Sequence, residues 1–417
     1  MQKPNTVKGT SDLLGQEALD QENIRNIFSG ICNFFNYENI STPILEHLET
    51  FTKTLGLSSD IISKEIYNFV DQGGDHLVLR PEGTAAVARA IITNSIQDKS
   101  NQKYFYSGPM FRRERPQSGR LRQFHQVGVE VFDNRDFHND IQTIIIAEKF
   151  LEVLCIKKKV KLEVNTLGNL ESRKKYLNVL VDFFQKEKNS LSYESQKKID
   201  INPLRILDSK HSEDRELIKK APKLYDFLDE ESKLFFNNFI DGLKIMKIDF
   251  VVNNYLVRGL DYYNHTTFEY VTFEDKSQNA ILAGGRYDGL LKSLGGNDFS
   301  GVGWAAGVER ILLCMEKLES KKKLISCFSS SERLNLDLLN IICKLQIDGE
   351  YSLNFISSGS IKKKISKADK LGSIGCIILG EEEWKEENII WKNMQTGKQE
   401  IFSKSNIEGF LKKKLKL

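Results

Sequence analysis

Phe111-Arg112-Arg113-Glu114-Arg115-Pro116-Gln117-Ser118-Gly119-Arg120-Leu121-Arg122-Gln123-Phe124 places five arginines around one turn and ends on an aromatic ring. Arginine stays charged at any working pH and grips phosphate through paired N–H groups. The turn therefore suits a polyanion, and the Phe124 ring offers a flat face to a base. A solvated basic loop would explain the charge alone, but not the flanks. Tyr104, Phe105, Tyr106 and Met110 precede the turn in a run rich in β-formers. From Gln123 to Asp133 the chain alternates: Val127, Val129 and Val131 point one way, and Phe124, Gln126, Glu130 and Phe132 the other. This predicts a strand with one apolar face packed on helices. Gln126 and Glu130 lie on the opposite face, with Gly128 leaving room between them. Buried polar groups are costly without partners. A ligand and a structural hydrogen-bond pair would meet that need equally well.

The chain has 417 residues, enough for about two or three domains with substantial cores. Hydrophobic residues make up 40% and charged residues 28%, the balance of a soluble globular protein. Lys+Arg number 60 against Asp+Glu 57, a formal net charge of +3, so a dense arginine cluster implies a localised anion site. The lysine runs at 157–159, 321–323 and 412–414 read as solvated faces. Six cysteines are scattered in apolar surroundings with no CxxC pair, which predicts small core residues in a reducing compartment and argues against zinc. The start of the sequence has no signal-peptide pattern, and no apolar run is long enough to span a membrane, so a cytoplasmic location is expected.

Outward from the arginine turn, residues 18–36 carry an apolar stripe at Ile24, Ile27, Phe28, Ile31, Phe34 and Phe35, the spacing of an amphipathic helix. Thr42 to Glu46 reads as extended because of Pro43. Leu77 to Leu79 is a short strand running through Arg80-Pro81-Glu82-Gly83-Thr84 into an Ala-rich helix. From about Leu170 to Leu243 the chain turns helical, charged and poor in glycine, which marks an insertion in a mixed sheet domain. Strand signals resume at Phe250–Val252 and at Thr267 to Phe273. Ala283 to Gly289 reads as a sharp turn carrying an arginine. Gly301 to Arg310 leads into a helix with Ile311, Leu312, Met315 and Leu318 on its apolar face. Small residues there let the backbone approach a ligand closely, and Arg310 near the helix start favours an anion. Beyond Lys321–Lys323, which composition marks as a domain boundary, strands at 324–328, 351–356 and 376–379 alternate with helices at 334–345 and 361–371. That pattern predicts a small α/β domain with a mainly parallel sheet.

Neither G-x-x-x-x-G-K-S/T nor G-x-G-x-x-G occurs in a strand–loop–helix setting, so the usual phosphate loops are missing. Scattered arginines, Arg112, Arg258 and Arg310, offer a different solution for a triphosphate. The arginine turn resembles motif 2 of class II aminoacyl-tRNA synthetases, and Gly301 to Arg310 resembles motif 3. Leu256-Val257-Arg258-Gly259-Leu260-Asp261-Tyr262-Tyr263 and Ala283 to Gly289 resemble the two signature segments of the histidyl-tRNA synthetase family. Leu79 to Thr84 and Asn202-Pro203-Leu204-Arg205-Ile206-Leu207-Asp208 match it too, and motif 1 falls around Pro43 and Glu46. The resemblance covers nearly the whole chain.

It implies an α+β catalytic domain over 1–322, an antiparallel sheet flanked by helices with a helical insertion at about 170–245, and an α/β anticodon-binding domain over 323–417. It implies ATP-dependent activation of L-histidine and its transfer to tRNA(His) by a homodimer, with Mg²⁺ accompanying ATP. Arg112 and Arg258 would hold the α-phosphate as the catalytic residues, and Arg310 the tail of the triphosphate. Phe124 would stack on adenine, with Glu114 at its amino group. Glu82 would bind the α-amino group of histidine, with Thr84 and Gln126 nearby. Glu130 and Tyr263 would contact the imidazole, and Tyr262 and Tyr287 would line its pocket. In bacterial members the motif 2 loop reads an extra guanosine at the tRNA 5′ end, for which Gln117 and Arg122 are the candidates. Two departures stand out: Trp304 where Phe is expected, with a possible place at the pocket floor, and His265 where Arg is common. Each site residue also has a structural alternative: Arg258 a buried ion pair, Glu130 a strand-to-strand bond, Tyr262 and Tyr263 core aromatics, and Lys362, Lys363, Lys364 and Lys367 a solvated helix face. A regulatory paralogue of the family would lack the tail domain and the motif 2 loop, both present here. Threonyl and prolyl relatives would lack the Leu256 to Tyr263 segment.

Overall fold

The computed structural model describes residues 4–56, 59–96, 101–273, 280–316, 323–345 and 351–415. The chain divides into two compact units, Met1–Glu316 and Lys317–Leu417. In the first unit the strands are β1 (Glu38–Asn39), β2 (Leu45–His47), β3 (Tyr67–Val70), β4 (His76–Leu79), β5 (Gln102–Phe111), β6 (Gln123–Asp133), β7 (Val160–Thr166), β8 (Phe250–Val252), β9 (Asn264–Thr272), β10 (Ala280–Arg286) and β11 (Ser300–Gly307). Its helices are α1 (Gln16–Phe34), α2 (Leu48–Leu55), α3 (Thr84–Thr93), α4 (Phe137–Val153), α5 (Leu170–Lys186), α6 (Tyr193–Gln196), α7 (Ser212–Ile218), α8 (Glu230–Ile245), α9 (Leu290–Ser293) and α10 (Val308–Cys314).

Among the described residues, eight strands form one sheet in the order β1-β5-β6-β11-β10-β9-β7-β8. Every pairing from β5 to β7 is antiparallel, and the outer pairs β1/β5 and β7/β8 are parallel. The alternation of β6 decides what each face meets. Val127, Val129 and Val131 are fully buried on one face with Phe28 of α1, Ile144 and Phe150 of α4, and Phe239 of α8. The other face gathers Tyr106, Phe132, Tyr263 and Tyr287 with Val87 and Ile91 of α3 and with Tyr176 and Leu180 of α5. The helices between β7 and β8 thus serve both faces: α5 caps the near side, and α8 packs on the far side.

Several sequence expectations change here. Phe34, assigned to the apolar stripe of α1, is 85% exposed, one position off the buried line of Ile24 and Phe28. Gly284 and Gly285 are not in a turn. They pair with Phe268 and Thr267 on one side and with Trp304 and Gly303 on the other, and the chain turns only after Arg286. Helix α10 ends at Cys314; Met315 is extended, and Leu318 lies outside the described residues. The room at Gly128 is filled by the Tyr106 ring, whose Cζ would lie 2.5 Å from an added Cβ. Cysteines 32, 327 and 376 are buried as expected of core residues, but Cys155 and Cys343 are exposed, the first in a left-handed turn after α4.

The second unit comprises β12 (Lys323–Ser329), α11 (Asn335–Lys344), β13 (Tyr351–Phe355), α12 (Ile361–Lys370), β14 (Gly375–Leu379), α13 (Glu381–Lys385), β15 (Asn388–Asn393), β16 (Gln399–Ser403) and α14 (Ile407–Leu415). Its sheet runs β13-β12-β14-β15-β16. The first two pairings are parallel and the last two antiparallel, so the sheet is mixed, not mainly parallel. The signal for β15 was the alternation that buries Ile389 and Trp391. On α12, Lys364 is not part of a solvated face: it is buried, and its Nζ donates to the Ser329 carbonyl at 2.9 Å. The boundary lysines 321 and 322 lie outside the described residues.

Candidate active site

Strands β5 and β6 carry the arginine turn out of the sheet. The ladder continues one step past β5, where Arg112 N donates to the Arg122 carbonyl, and the Arg113 N–H ties the turn to Glu65. The Arg112 Nε donates to the Pro81 carbonyl at 2.9 Å, and its guanidinium lies 5.3 Å from the centre of the Phe124 ring. Arg310 reaches across from the start of α10, donating to the Gly119 carbonyl at 3.2 Å and the Ala280 carbonyl at 2.7 Å. Arg258 comes from the irregular segment after β8, where it pairs with Glu269 at 2.9 Å and lies 5.6 Å from the Tyr263 ring centre.

These three arginines line one cavity of about 330 Å³ together with Glu82, Thr84, Glu114, Phe124, Gln126, Tyr262 and Tyr263. Burial pulls the Arg310 guanidinium below its ordinary range, and the positive charges of Arg120 and Arg112 add to the effect. Burial acts the same way on Arg258, but Glu269 and Tyr263 more than offset it, so its charge is secured. Concentrated positive charge in a partly closed cleft is what a polyphosphate needs.

The floor is acidic and aromatic. Glu82 accepts from the N–H groups of Thr84 and Ala85, both at 2.8 Å, and so caps α3 while lining the cavity. Burial raises its carboxyl pKa. Gln126 Oε1 is buried with no hydrogen-bond partner among the described residues. Glu130 does not line the cavity. It lies just behind, fully buried, accepting from Thr84 Oγ1 at 2.7 Å and from the Tyr287 hydroxyl. Neither partner is on a strand, so the expected strand-to-strand bond is replaced by bonds to the start of α3 and to the turn after β10. Tyr287, 1% exposed, stands behind Tyr262 and Tyr263. Strand β11 makes this possible by placing Gly301, Gly303, Ala305 and Gly307 on the site face. A Cβ on Gly303 would fall 2.1 Å from Glu130 Oε2. Trp304 is on the opposite face, in the far core, donating to the Thr143 carbonyl at 2.8 Å, so it is not the pocket floor.

Gln117 is exposed at the tip of the arginine turn. Arg122 is half-buried, its Nε donating to the Glu114 carbonyl at 3.3 Å, so it braces the turn. His265 is away from the cavity beside Phe235, and burial lowers its pKa to about 4. Sequence reasoning did not single out Glu269, which pairs with Arg258, or Arg120, which pairs with Glu114 at 2.5 Å. The signal for Glu269 was the one used for Glu130, a carboxylate on a buried strand.

An antiparallel sheet bearing an arginine turn on two neighbouring strands, with a third arginine from a strand-to-helix element, defines a class II aminoacyl-tRNA synthetase. A family model described as "Histidyl-tRNA synthetase" matches residues 9–311, and one described as "Anticodon binding domain" matches 337–414. The chain is 42% identical over 399 residues to a histidine–tRNA ligase of Wolbachia pipientis subsp. Culex pipiens (strain wPip), covering 96% of this chain and 97% of that one. It is 39% identical over 407 residues to a histidine–tRNA ligase of Rhodospirillum rubrum, covering 97% and 98%. The crystal structure of apo S. aureus histidyl-tRNA synthetase superimposes with a TM-score of 0.79 at 30% identity, covering 98% of this chain and 99% of that one. This chain belongs to the histidyl-tRNA synthetase family.

Proposed function

We propose that the enzyme activates L-histidine with ATP and transfers the histidyl group to tRNA(His). The observation that carries this reading is the meeting of Arg112, Arg258 and Arg310 in one cavity floored by Glu82, Gln126 and Tyr263, with Glu130 behind. The histidine carboxylate is ionised at neutral pH and needs no general base. Its oxygen attacks the α-phosphorus as the bond to pyrophosphate breaks. Arg112 and Arg258 neutralise charge at the phosphorus, and Arg310 that on the departing pyrophosphate. Phe124 stacks on adenine, with Glu114 beside its amino group. Glu82 and the orphaned Gln126 oxygen receive the α-ammonium, Thr84 beside them. Tyr263 meets one imidazole nitrogen from the cavity wall, and Glu130 meets the other from the layer behind by exchanging its bond to Thr84 or Tyr287, with Tyr262 and Tyr287 around the ring. Buried partners of this kind reject analogues lacking the nitrogens by ~10⁴–10⁵. In the second step the acyl group passes to the terminal ribose of tRNA, with a phosphate oxygen of the adenylate as the candidate proton acceptor.

No group of three metal-ligating side chains occurs among the described residues, and the lining carboxylates Glu269 and Glu309 are engaged with Arg258 and His125. Glu269 and Glu309 are the lining carboxylates that would face a Mg²⁺ arriving with the triphosphate, and the ion would supply charge neutralisation there. No described helix is long and apolar enough to cross a membrane; the reading as a translation enzyme favours a cytoplasmic location. Leu45 and Phe69 stay exposed on one face of the small sheet β2-β4-β3, with Ile44 beside it, which favours a homodimer built through that face. Gln117, exposed at the tip of the turn, and Arg122, whose Nε braces the turn at the Glu114 carbonyl, are the residues assigned to the tRNA 5′ end. Pyrophosphate exchange into ATP is expected with histidine and with no other amino acid. Arg258→Ala should lower that exchange by ~10²–10³ while histidine binding stays measurable. Exchange driven by another amino acid would overturn the reading.

A further inference from the structure

The segment that carries Arg258, Tyr262 and Tyr263 has neither helix nor strand from Asn253 to Tyr263. Backbone carbonyls in such a segment must find partners outside a ladder. Here side chains supply them. Asn165 of β7 donates to the Leu256 carbonyl at 3.0 Å. The other bonds come from the inserted helical block. Arg205, in the single turn Pro203–Ile206, donates to the Gly259 carbonyl at 2.6 Å. Arg173 of α5 donates to the Asp261 carbonyl at 3.2 Å and the Tyr263 carbonyl at 3.0 Å. Arg258 thus sits between two carbonyls held from outside its segment, that of Leu256 by β7 of the sheet and that of Gly259 by the inserted helical block. Arg205 is itself steadied by Asp60 at 3.9 Å.

We propose that Arg205 and Arg173 are positioning residues for the activation step, through which the inserted helices set the place of Arg258 and Tyr263. This rests on the activation reading above and adds to it a function for the Asn202 to Asp208 segment. Neither arginine touches the substrate in this scheme. A guanidinium on a carbonyl fixes a loop without contributing charge to the reacting phosphate, and catalytic groups lose rate steeply when their support loosens.

The test uses the full chain and histidine-dependent pyrophosphate exchange. Arg205→Met keeps the apolar stem and removes the donors. Its kcat is expected to fall on the order of 10–100-fold, with KM for ATP little changed and the thermal midpoint at the native value. Arg205→Lys, which can still reach one carbonyl, should recover part of the loss. In an Arg258→Ala background Arg205→Met should lower kcat little further, because both changes act through one group. Native kcat in a folded Arg205→Met variant would overturn the proposal, and so would losses that multiply in the double variant. If Arg205→Met does not fold, Arg173→Met, which likewise removes the donors, tests the same segment, and undiminished kcat there overturns the proposal equally. Failure of the native chain to exchange with histidine would refute the activation reading instead.

Discussion

Glu130 has no exposed surface, and burial pushes its carboxyl up to about 8, while hydrogen bonds from Thr84 and Tyr287 pull the other way. An unliganded site therefore keeps a proton on Glu130 at neutral pH. A native value above the unfolded one also means that Glu130 costs stability as pH rises from about 4.5 through about 8. Free imidazole titrates at about 6.5. If the bound pair shares one proton, affinity is highest where Glu130 is protonated and free histidine is neutral. The KM for histidine should therefore be lowest between about pH 6.5 and pH 8 and should rise on both sides. Glu130→Gln should raise KM overall and remove the rise above pH 8; a native KM that stays flat from pH 7 to pH 9 would contradict this. Glu130 was legible from its place on an alternating strand. Its bonds to Thr84 and Tyr287 were not, because those partners come from other elements.

At the scale of one element, β11 shows what glycine spacing accomplishes. Its even positions, Val302, Trp304 and Ala306, fill the far core, and its odd positions stay small beneath the site. Gly303→Ala would put a methyl 2.1 Å from Glu130 Oε2 and 2.3 Å from the Val129 carbonyl. It should cost about 1–3 kcal/mol of stability and raise the KM for histidine. Gly307→Ala meets nothing closer than 3.7 Å and should be tolerated. Thermal midpoints and KM values for the two variants check the contrast. The sequence announced a close approach along this run and suggested a ligand. What approaches Gly303 is the protein's own carboxylate, and only the pairing of β11 with β6 reveals that. At the antiparallel end of the tail sheet the alternation of β15 was there to read, but only its pairing with β14 and β16 sets the strand direction.

Across the whole molecule, the two units have separate cores. The second unit packs Ile325, Ile377, Ile389 and Trp391 with Leu338 and Leu411 into a core of its own. A chain ending at Glu316 should therefore retain histidine-dependent exchange and lose most of its rate of tRNA charging, measured with the same enzyme preparation; loss of exchange would show that the tail supports the activation site. Apolar alternation, the helix stripe, the arginine turn and the signature segments are short-range patterns. Local backbone periodicity and side-chain chemistry suffice to read them, so the class, most of the elements and many of the residues that line the cavity were available from the chain alone. The convergence of Arg112, Arg258 and Arg310, the pairing of Arg258 with Glu269, and the hold of Arg205 and Arg173 on the Arg258 segment were decided by tertiary structure. Those contacts join elements whose nearness is set by sheet order and by packing of the inserted helices, and neither is encoded in the spacing of any one segment.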